Sequence, residues 1–221
     1  MYLLLPSLLS LFNSILTSGS FPSIWRINTL TPIHKKGDLY IPSNYRGIAV
    51  NSNLGKLFCS ILQRRLIDFC YKHKLIPNNQ IGYKQQSRTT DHIISLKNLI
   101  DKYLRKARQS YLYACFVDFK SAFDTVWRKA LFYKLLKLGI GGNFLDCIQN
   151  IYDDVQYVIK HQGMITEPVT STIGVKQGCV LSPTLFNIFL SDIPDIFDSK
   201  CDPPVIYDQN LSCLMFADDI V

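Results

Sequence analysis

Three short segments hold the residues whose types and spacing suit phosphoryl chemistry. Asp118 closes an apolar run in Phe116-Val117-Asp118-Phe119-Lys120-Ser121-Ala122-Phe123-Asp124. Gly174-Val175-Lys176-Gln177-Gly178-Cys179-Val180-Leu181-Ser182-Pro183 joins an expected strand to an expected helix. Phe216-Ala217-Asp218-Asp219 sets two carboxylates side by side after a second apolar run. A carboxylate buried at a strand end without a counter-charge is costly, because the ion must leave water. A divalent cation offsets that cost, and magnesium takes a few carboxylates together with water and substrate phosphates. Two such ions about 3.5–4 Å apart clamp the attacking and leaving oxygens of a phosphoryl transfer. Taken singly, an Asp-Asp pair is a common solvated turn, an Asp after a strand a common turn residue, and a Gly-Ser-Pro loop ordinary capping chemistry. Their combination and order carry the reading.

Elements to position these segments follow from apolar spacing. Met1 to Leu16 is apolar but broken by Pro6, Ser7, Ser10, Asn13 and Ser14, which suits an amphipathic helix and is too short for a membrane span. Leu54, Leu57, Phe58, Ile61, Leu62, Leu66, Phe69 and Cys70 recur with helical period, so a helix is expected from Ser52 to Lys74. A second is expected from Thr90 to Arg108, with Ile93, Ile94, Leu96, Leu99, Ile100, Tyr103 and Leu104 inward. Tyr111 to Val117 and Leu211 to Phe216 read as strands. Trp127 to Leu138, Gly142 to Tyr152 and Ser182 to Leu190 read as helices, the first ended by Gly139 and the last opened by Ser182 as N-cap with Pro183. Val155 to Lys160 and Met164 to Ile173 flank a hairpin at His161-Gln162-Gly163. The fold class is α+β, an antiparallel sheet covered by helices.

Charge divides the chain. Residues 1–110 carry 16 Lys and Arg against 4 Asp and Glu, a net +12. Residues 111–221 carry 8 against 13, a net −5. A basic half suits phosphate neutralisation and an acidic half suits divalent cations, although a solvated surface would show the same asymmetry. The seven scattered cysteines form no C-x-x-C pair, which argues against a zinc site or disulfide framework and for a reducing, intracellular setting, nucleus or cytoplasm.

With the flanking text, the three segments resemble motifs A, B and C of the reverse transcriptases of non-LTR retrotransposons (long interspersed elements). Phe21-Pro22-Ser23-Ile24-Trp25, Thr31-Pro32-Ile33-His34-Lys35-Lys36-Gly37-Asp38, Ser43-Asn44-Tyr45-Arg46-Gly47-Ile48, Gln80-Ile81-Gly82-Tyr83 and Ser87-Arg88-Thr89-Thr90-Asp91 are similar to the fingers of those enzymes. The resemblance runs from Phe21 to Val221. It implies a right-hand polymerase, with 1–110 mainly fingers and 111–221 mainly palm. It also implies RNA-directed DNA synthesis on an RNA template from a DNA primer and deoxynucleoside triphosphates, with two Mg2+ ions and no membrane.

The resemblance also implies residue roles. Asp118 and Asp218 would bridge the metals, with Asp219 in the same cluster and the Phe119 carbonyl as an added oxygen. Phe123 would be the steric gate that excludes a ribose 2′-hydroxyl, and core packing is the compatible alternative. Gln177 and Gly178 would line the nascent pair, Gly178 by allowing close backbone approach. Arg46 would grip the triphosphate, helped by Lys36 or its neighbour Lys35. Arg64, Arg65 and Lys72 contact template or form a solvated face. Cys179 is read as packing, and Asp124 receives no catalytic role.

Gly47 departs from the family pattern, where many relatives carry Pro. Complete relatives continue past motif C through the return strand of the catalytic hairpin, the primer grip and the thumb, so the chain is expected to stop short of these. Two other classes remain: an inert transposon remnant or domesticated nucleic-acid-binding module, and an RNA-dependent RNA polymerase, against which Phe123 and the Gln177-Gly178 and Ser182-Pro183 pairs weigh.

Overall fold

The computed structural model describes residues 4–106, 111–161, 163–200, 203–206 and 209–221. The chain forms two compact units, 1–69 with 123–185, and 70–122 with 186–221.

The first unit opens with α1 (Leu5–Ser18), closed by Gly19 in the left-handed region. Strands β1 (Ile27–His34) and β2 (Tyr45–Val50) form an antiparallel hairpin. Helix α2 (Asn53–Lys72) begins here and runs into the second unit. Helices α4 (Arg128–Lys137) and α5 (Gly142–Tyr152) follow, then β4 (Val155–His161), β5 (Met164–Ile165) and β6 (Val169–Ser171). β4 pairs antiparallel with β5 and β6, but β1 and β4 run parallel, Ile27 opposite Gln156. The larger sheet is therefore mixed, not antiparallel throughout as the sequence suggested. Parallel neighbours require a long crossover, and residues 35–154 supply it.

The core of this unit is built from period-3.6 positions. Phe58, Leu62 and Leu66 of α2, Leu131 and Leu135 of α4, and Ile148 and Ile151 of α5 are essentially inaccessible. Each contributes about 1.5–3 kcal/mol through burial. Phe12 of α1 lies 5.5 Å from Phe58 between ring centroids, and Phe21 lies 6.1 Å from it.

The second unit contains α3 (Thr89–Lys106), β3 (Val117–Asp118), the last turn of α6 (Ser182–Phe189), α7 (Ile193–Lys200), and the short strands β7 (Val205–Ile206), β8 (Gln209–Asn210), β9 (Met215–Phe216) and β10 (Asp219–Ile220). β3, β10 and β9 make one antiparallel sheet in that order. Leu99, Phe186, Ile188, Met215 and Ile220 are among this unit's buried apolar residues.

Three expectations are corrected here. The apolar run before Asp118 is a strand only at Val117–Asp118, and Tyr111, Tyr113 and Phe116 are exposed. Its ladder partner, β10, is two residues long, so only two of its residues find one. On α3, Leu99 is buried but Ile93, Ile94, Ile100 and Leu104 are exposed, so the apolar stripe is wider than the face that packs. The expected extension of α3 to Arg108 and the loop residue Gln162 lie outside the described residues. Finally, the return strand of the Asp-Asp hairpin is present: β10 pairs back onto β9, and Leu214 and Val221 exchange backbone hydrogen bonds of 2.8 and 2.9 Å.

Candidate active site

Asp219 on β10 pairs directly with Asp118 on β3, and on its other side with Phe216 on β9. The turn between β9 and β10 is therefore two residues long, Ala217-Asp218. Only the first of these has positive φ, +57° for Ala217. Two-residue hairpins favour such a conformation at that place, and glycine usually fills it. A Cβ there costs on the order of 1–2 kcal/mol, so something else must hold the turn.

The residue across from Asp118 is thus Asp219, while Asp218 occupies the second loop position beside them. Directly opposed residues of an antiparallel pair lie about 4.5–5.5 Å apart and project to the same face, where like charges repel. Asp118 and Asp219 are exposed and Asp218 is half-buried. The two ion pairs among the described residues, Arg26 with Asp153 and Arg105 with Asp101, use none of the three. Burial pushes the Tyr83 phenol above its ordinary value, and the charge of Asp218 adds to this. Phe119 follows β3 and is partly exposed.

Among the described residues no group of three His, Cys, Asp or Glu side chains is placed to hold a metal ion, so Asp118, Asp218 and Asp219 do not converge as a three-ligand site. The donor set is instead an open pair of opposed carboxylates with a third beside it. It fits magnesium, which completes its shell with water and substrate phosphates, and it does not fit a structural zinc site.

The remaining candidates belong to the first unit. The β1–β2 loop is tied by the side chains of the Asn44-Tyr45 motif. Asn44 Nδ2 donates to the Asp38 carbonyl at 2.8 Å, and the Tyr45 hydroxyl donates to the Leu39 carbonyl at 2.8 Å. Gly37 in this loop has φ +87°, and a Cβ on it would come 2.7 Å from Asn44 Nδ2. Lys36 lies in this loop and Arg46 on β2, opposite Ile33, both exposed. The motif therefore ties the loop that displays Lys36, and Arg46 follows it on β2.

Motif B lies against motif A's second half and against β2. Val175 N donates to the Phe123 carbonyl at 2.7 Å and Gly174 N to Val126 at 2.8 Å. Gln177 Nε2 donates to Asp124 Oδ1 at 2.8 Å, and its carbonyl accepts from Ala49 N at 3.2 Å. Gly178 has φ +102°, and a Cβ there would approach the Ala49 carbonyl oxygen to 2.5 Å. A cleft of about 450 Å3 opens beside these residues, lined by Gly47, Ala49, Asp124, Tyr157 and Gln177 among others. Phe123 is half-buried. Asp124, set aside in the sequence reading, is the partner of Gln177.

Three further residues have buried partners that the sequence did not reveal. Arg128, at the start of α4, is buried and donates to Gly174, Tyr152, Ser171 and Ile173 carbonyls and to Ser171 Oγ at 2.6–3.2 Å. It fastens the loop before motif B to the helix after motif A. Lys176 is buried with its ammonium 5.8 and 5.9 Å from the centroids of the Phe21 and Tyr152 rings. Burial pulls its pKa below the ordinary lysine value, opposed by the nearby Cys179 and Cys59 sulfurs. Ser182 does not cap α6 with its side chain; its hydroxyl shares a 3.0 Å hydrogen bond with Tyr152. Nothing in an Arg, Lys or Ser letter distinguishes these buried partners from solvated ones.

The chain has counterparts among known proteins. The reverse transcriptase (RNA-dependent DNA polymerase) family profile matches residues 33–221. The chain is 30% identical over 186 residues to the probable RNA-directed DNA polymerase from transposon BS of Drosophila melanogaster, covering 83% of this chain and 20% of that protein. It is 32% identical over 213 residues to the Pol polyprotein of the type-1 retrotransposable element R2 of Popillia japonica, covering 93% and 28%. Among solved structures, apo telomerase from Candida tropicalis truncated from its C-terminal domain superposes with a TM-score of 0.56 at 16% identity, over 94% of this chain and 46% of that one. This likeness shows a shared mixed α and β fold. The chain belongs to the reverse transcriptase family, in the branch carried by non-LTR retrotransposons. It spans about a fifth of the length of the first curated relatives it matches.

Proposed function

We propose that this chain carries the nucleotidyl-transfer centre of an RNA-directed DNA polymerase, adding deoxynucleotides to a DNA primer on an RNA template. The observation that carries the reading is the direct register of Asp118 with Asp219, with Asp218 beside them in the turn. Three carboxylates on one small sheet, without a salt-bridge cation among the described residues, make an electrostatic well for divalent metal. Bound magnesium would supply charge neutralisation at the attacking 3′-oxygen and the departing pyrophosphate.

Asp118, Asp218 and Asp219 hold that charge, with the Phe119 carbonyl as an extra oxygen. The sheet bearing them is the palm, and the β1–β2 hairpin belongs to the fingers. Arg46, and Lys36 or Lys35, bind the triphosphate of the incoming nucleotide. Gln177 and Gly178 line the nascent pair, and the Gln177–Asp124 hydrogen bond fixes that amide's direction. Phe123, anchored through its carbonyl to Val175, excludes the ribose 2′-hydroxyl.

Primer extension on an RNA template, by the polypeptide expressed from the full open reading frame that encodes this chain, tests the reading. Extension should require Mg2+ and vanish in D118N and D218N. F123V should raise ribonucleotide incorporation by on the order of tenfold or more, since a clash that rejects the wrong sugar is removed. No extension with all three carboxylates intact would favour the alternative of an inert nucleic-acid-binding remnant.

A further inference from the structure

Ala217 holds a conformation that its own side chain disfavours, with φ +57°, directly before Asp218. The side chain against it is Gln80, only 1% exposed. Gln80 Oε1 accepts from Ala217 N at 2.9 Å and from Gly82 N at 2.8 Å. Its Nε2 donates to the Ala217 carbonyl at 3.0 Å. One primary amide thus satisfies both backbone groups of Ala217, as a neighbouring strand would. Only a side chain that both donates and accepts can do this.

The backbone around Gln80 is fastened to the same hairpin. Met215 N donates to Asn79 at 2.9 Å and Ile81 N donates to Met215 at 3.0 Å, a short parallel ladder with β9. Gly82 leaves no room: a Cβ on it would stand 2.2 Å from Ala217 N. Its carbonyl is held in turn by Asn187 Nδ2 at 2.8 Å. All of these residues belong to the second unit.

We infer that Gln80 is the positioning residue of the catalytic turn, clamping Ala217 in its left-handed conformation so that Asp218 and Asp219 keep their directions. The inference rests on the reading of Asp118, Asp218 and Asp219 as the metal-binding carboxylates. Gln80 reaches neither metal nor nucleotide; it acts through the peptide groups on either side of Ala217. Methionine at this place would keep the length and bulk but lose every hydrogen bond. Glutamate would keep the acceptor and lose the amide donor, and when ionised it would add a buried charge.

The test uses the full open reading frame with Q80M, Q80E and D218N, in three measurements. Hydrogen exchange of the metal-free protein should show the Ala217 amide opening at least tenfold faster in Q80M, while the Ile81 and Met215 amides keep their protection. Mn2+ binding, followed by loss of the free-ion paramagnetic signal, should weaken at least tenfold. The kcat of primer extension should fall on the order of a hundredfold, as displacement of reacting groups by about an ångström does, with the deoxynucleotide KM little changed. Q80E, which loses the amide donor, should show the same pattern and decides the matter if Q80M fails to fold. Parental exchange at Ala217, parental Mn2+ binding and parental kcat in a folded Q80 variant would overturn the inference. If D218N itself leaves Mn2+ binding and extension intact, the reading of the carboxylates fails instead, whatever the Q80 variants do.

Discussion

Asp118 and Asp219 are direct partners across two antiparallel strands, although 101 positions separate them in the chain. Two like charges facing each other in a sheet oppose folding, and in the proposed reading they serve metal binding. The first expected outcome follows. In a chelator, D219N should be more stable than the parent by about 0.2–1 kcal/mol, the size of a cross-strand pair effect, and should lose polymerase activity. Thermal melting with and without Mg2+ checks this: the cation should raise the parent's midpoint and leave that of D219N nearly unmoved.

Arg128 donates five hydrogen bonds from a buried position, two of them buried bonds to the Gly174 and Tyr152 carbonyls. R128A should destabilise by about 3 kcal/mol or more, because unsatisfied buried acceptors cost more than the hydrogen bonds are worth. R128K should recover little, since an ammonium cannot reproduce the planar fork. Urea unfolding of the three proteins measures this.

Gly178 combines φ +102° with a close approach to the Ala49 carbonyl. G178A meets backbone rather than a yielding side chain, so the motif B loop must move off β2. The conformation alone costs about 1–3 kcal/mol. Extension assays should show a raised deoxynucleotide KM, with Gly178→Ser no better than Gly178→Ala.

Alkali should unfold the protein through its buried phenols. Burial pushes Tyr152 well above its ordinary value, and burial likewise raises Tyr157. Unfolded phenols lose their protons near pH 10 while the folded ones keep them. The folded state then binds more protons, so stability is intact below about pH 10 and falls as pH rises through and beyond it. Cys70, pushed up to about 11 by burial, acts with the same sign. Lys176, lowered by burial, acts with the opposite sign up to the ordinary lysine value. The raised groups, Tyr83, Tyr152, Tyr157, Cys59, Cys70 and Cys147, outnumber the lowered ones, Lys176, Arg128 and Cys179, which leaves a net decline. Urea midpoints measured from pH 8 to pH 11 should therefore fall, with phenolate absorbance appearing together with unfolding.

Helices were legible in the sequence wherever a 3.6-residue apolar period coincided with a stop signal. α5 matches its expected bounds, Gly142–Tyr152, and α2 and α4 fall within a residue or two of theirs. The strands of the candidate site were less so. Tyr111 to Val117 has strand composition, but a strand needs a partner, and only Val117 and Asp118 have one. The three aspartates stood out because two are adjacent in sequence and all end apolar runs. Gln80 stood out only within the resemblance of Gln80-Ile81-Gly82-Tyr83 and Arg128 not at all, because their importance lies in what they touch. A glutamine letter carries no sign that its amide closes on a peptide 137 positions away, and a helix-opening arginine normally points to water.

The parallel pairing of β1 with β4 also sets a timetable for synthesis. β1 ends at His34, but its second partner begins at Val155. At about 5–20 residues per second, a ribosome needs on the order of 6–25 s to make the intervening stretch. Through that interval the β1–β2 hairpin has an open rim along β1, with Ile27 and Leu30 awaiting Gln156 and Ile159. Such a rim is a template for mispairing with other chains, and contacts this distant in sequence form slowly. Translation speed across residues 35–154, and whatever shields the hairpin meanwhile, therefore governs how much of the newly made protein reaches its native sheet.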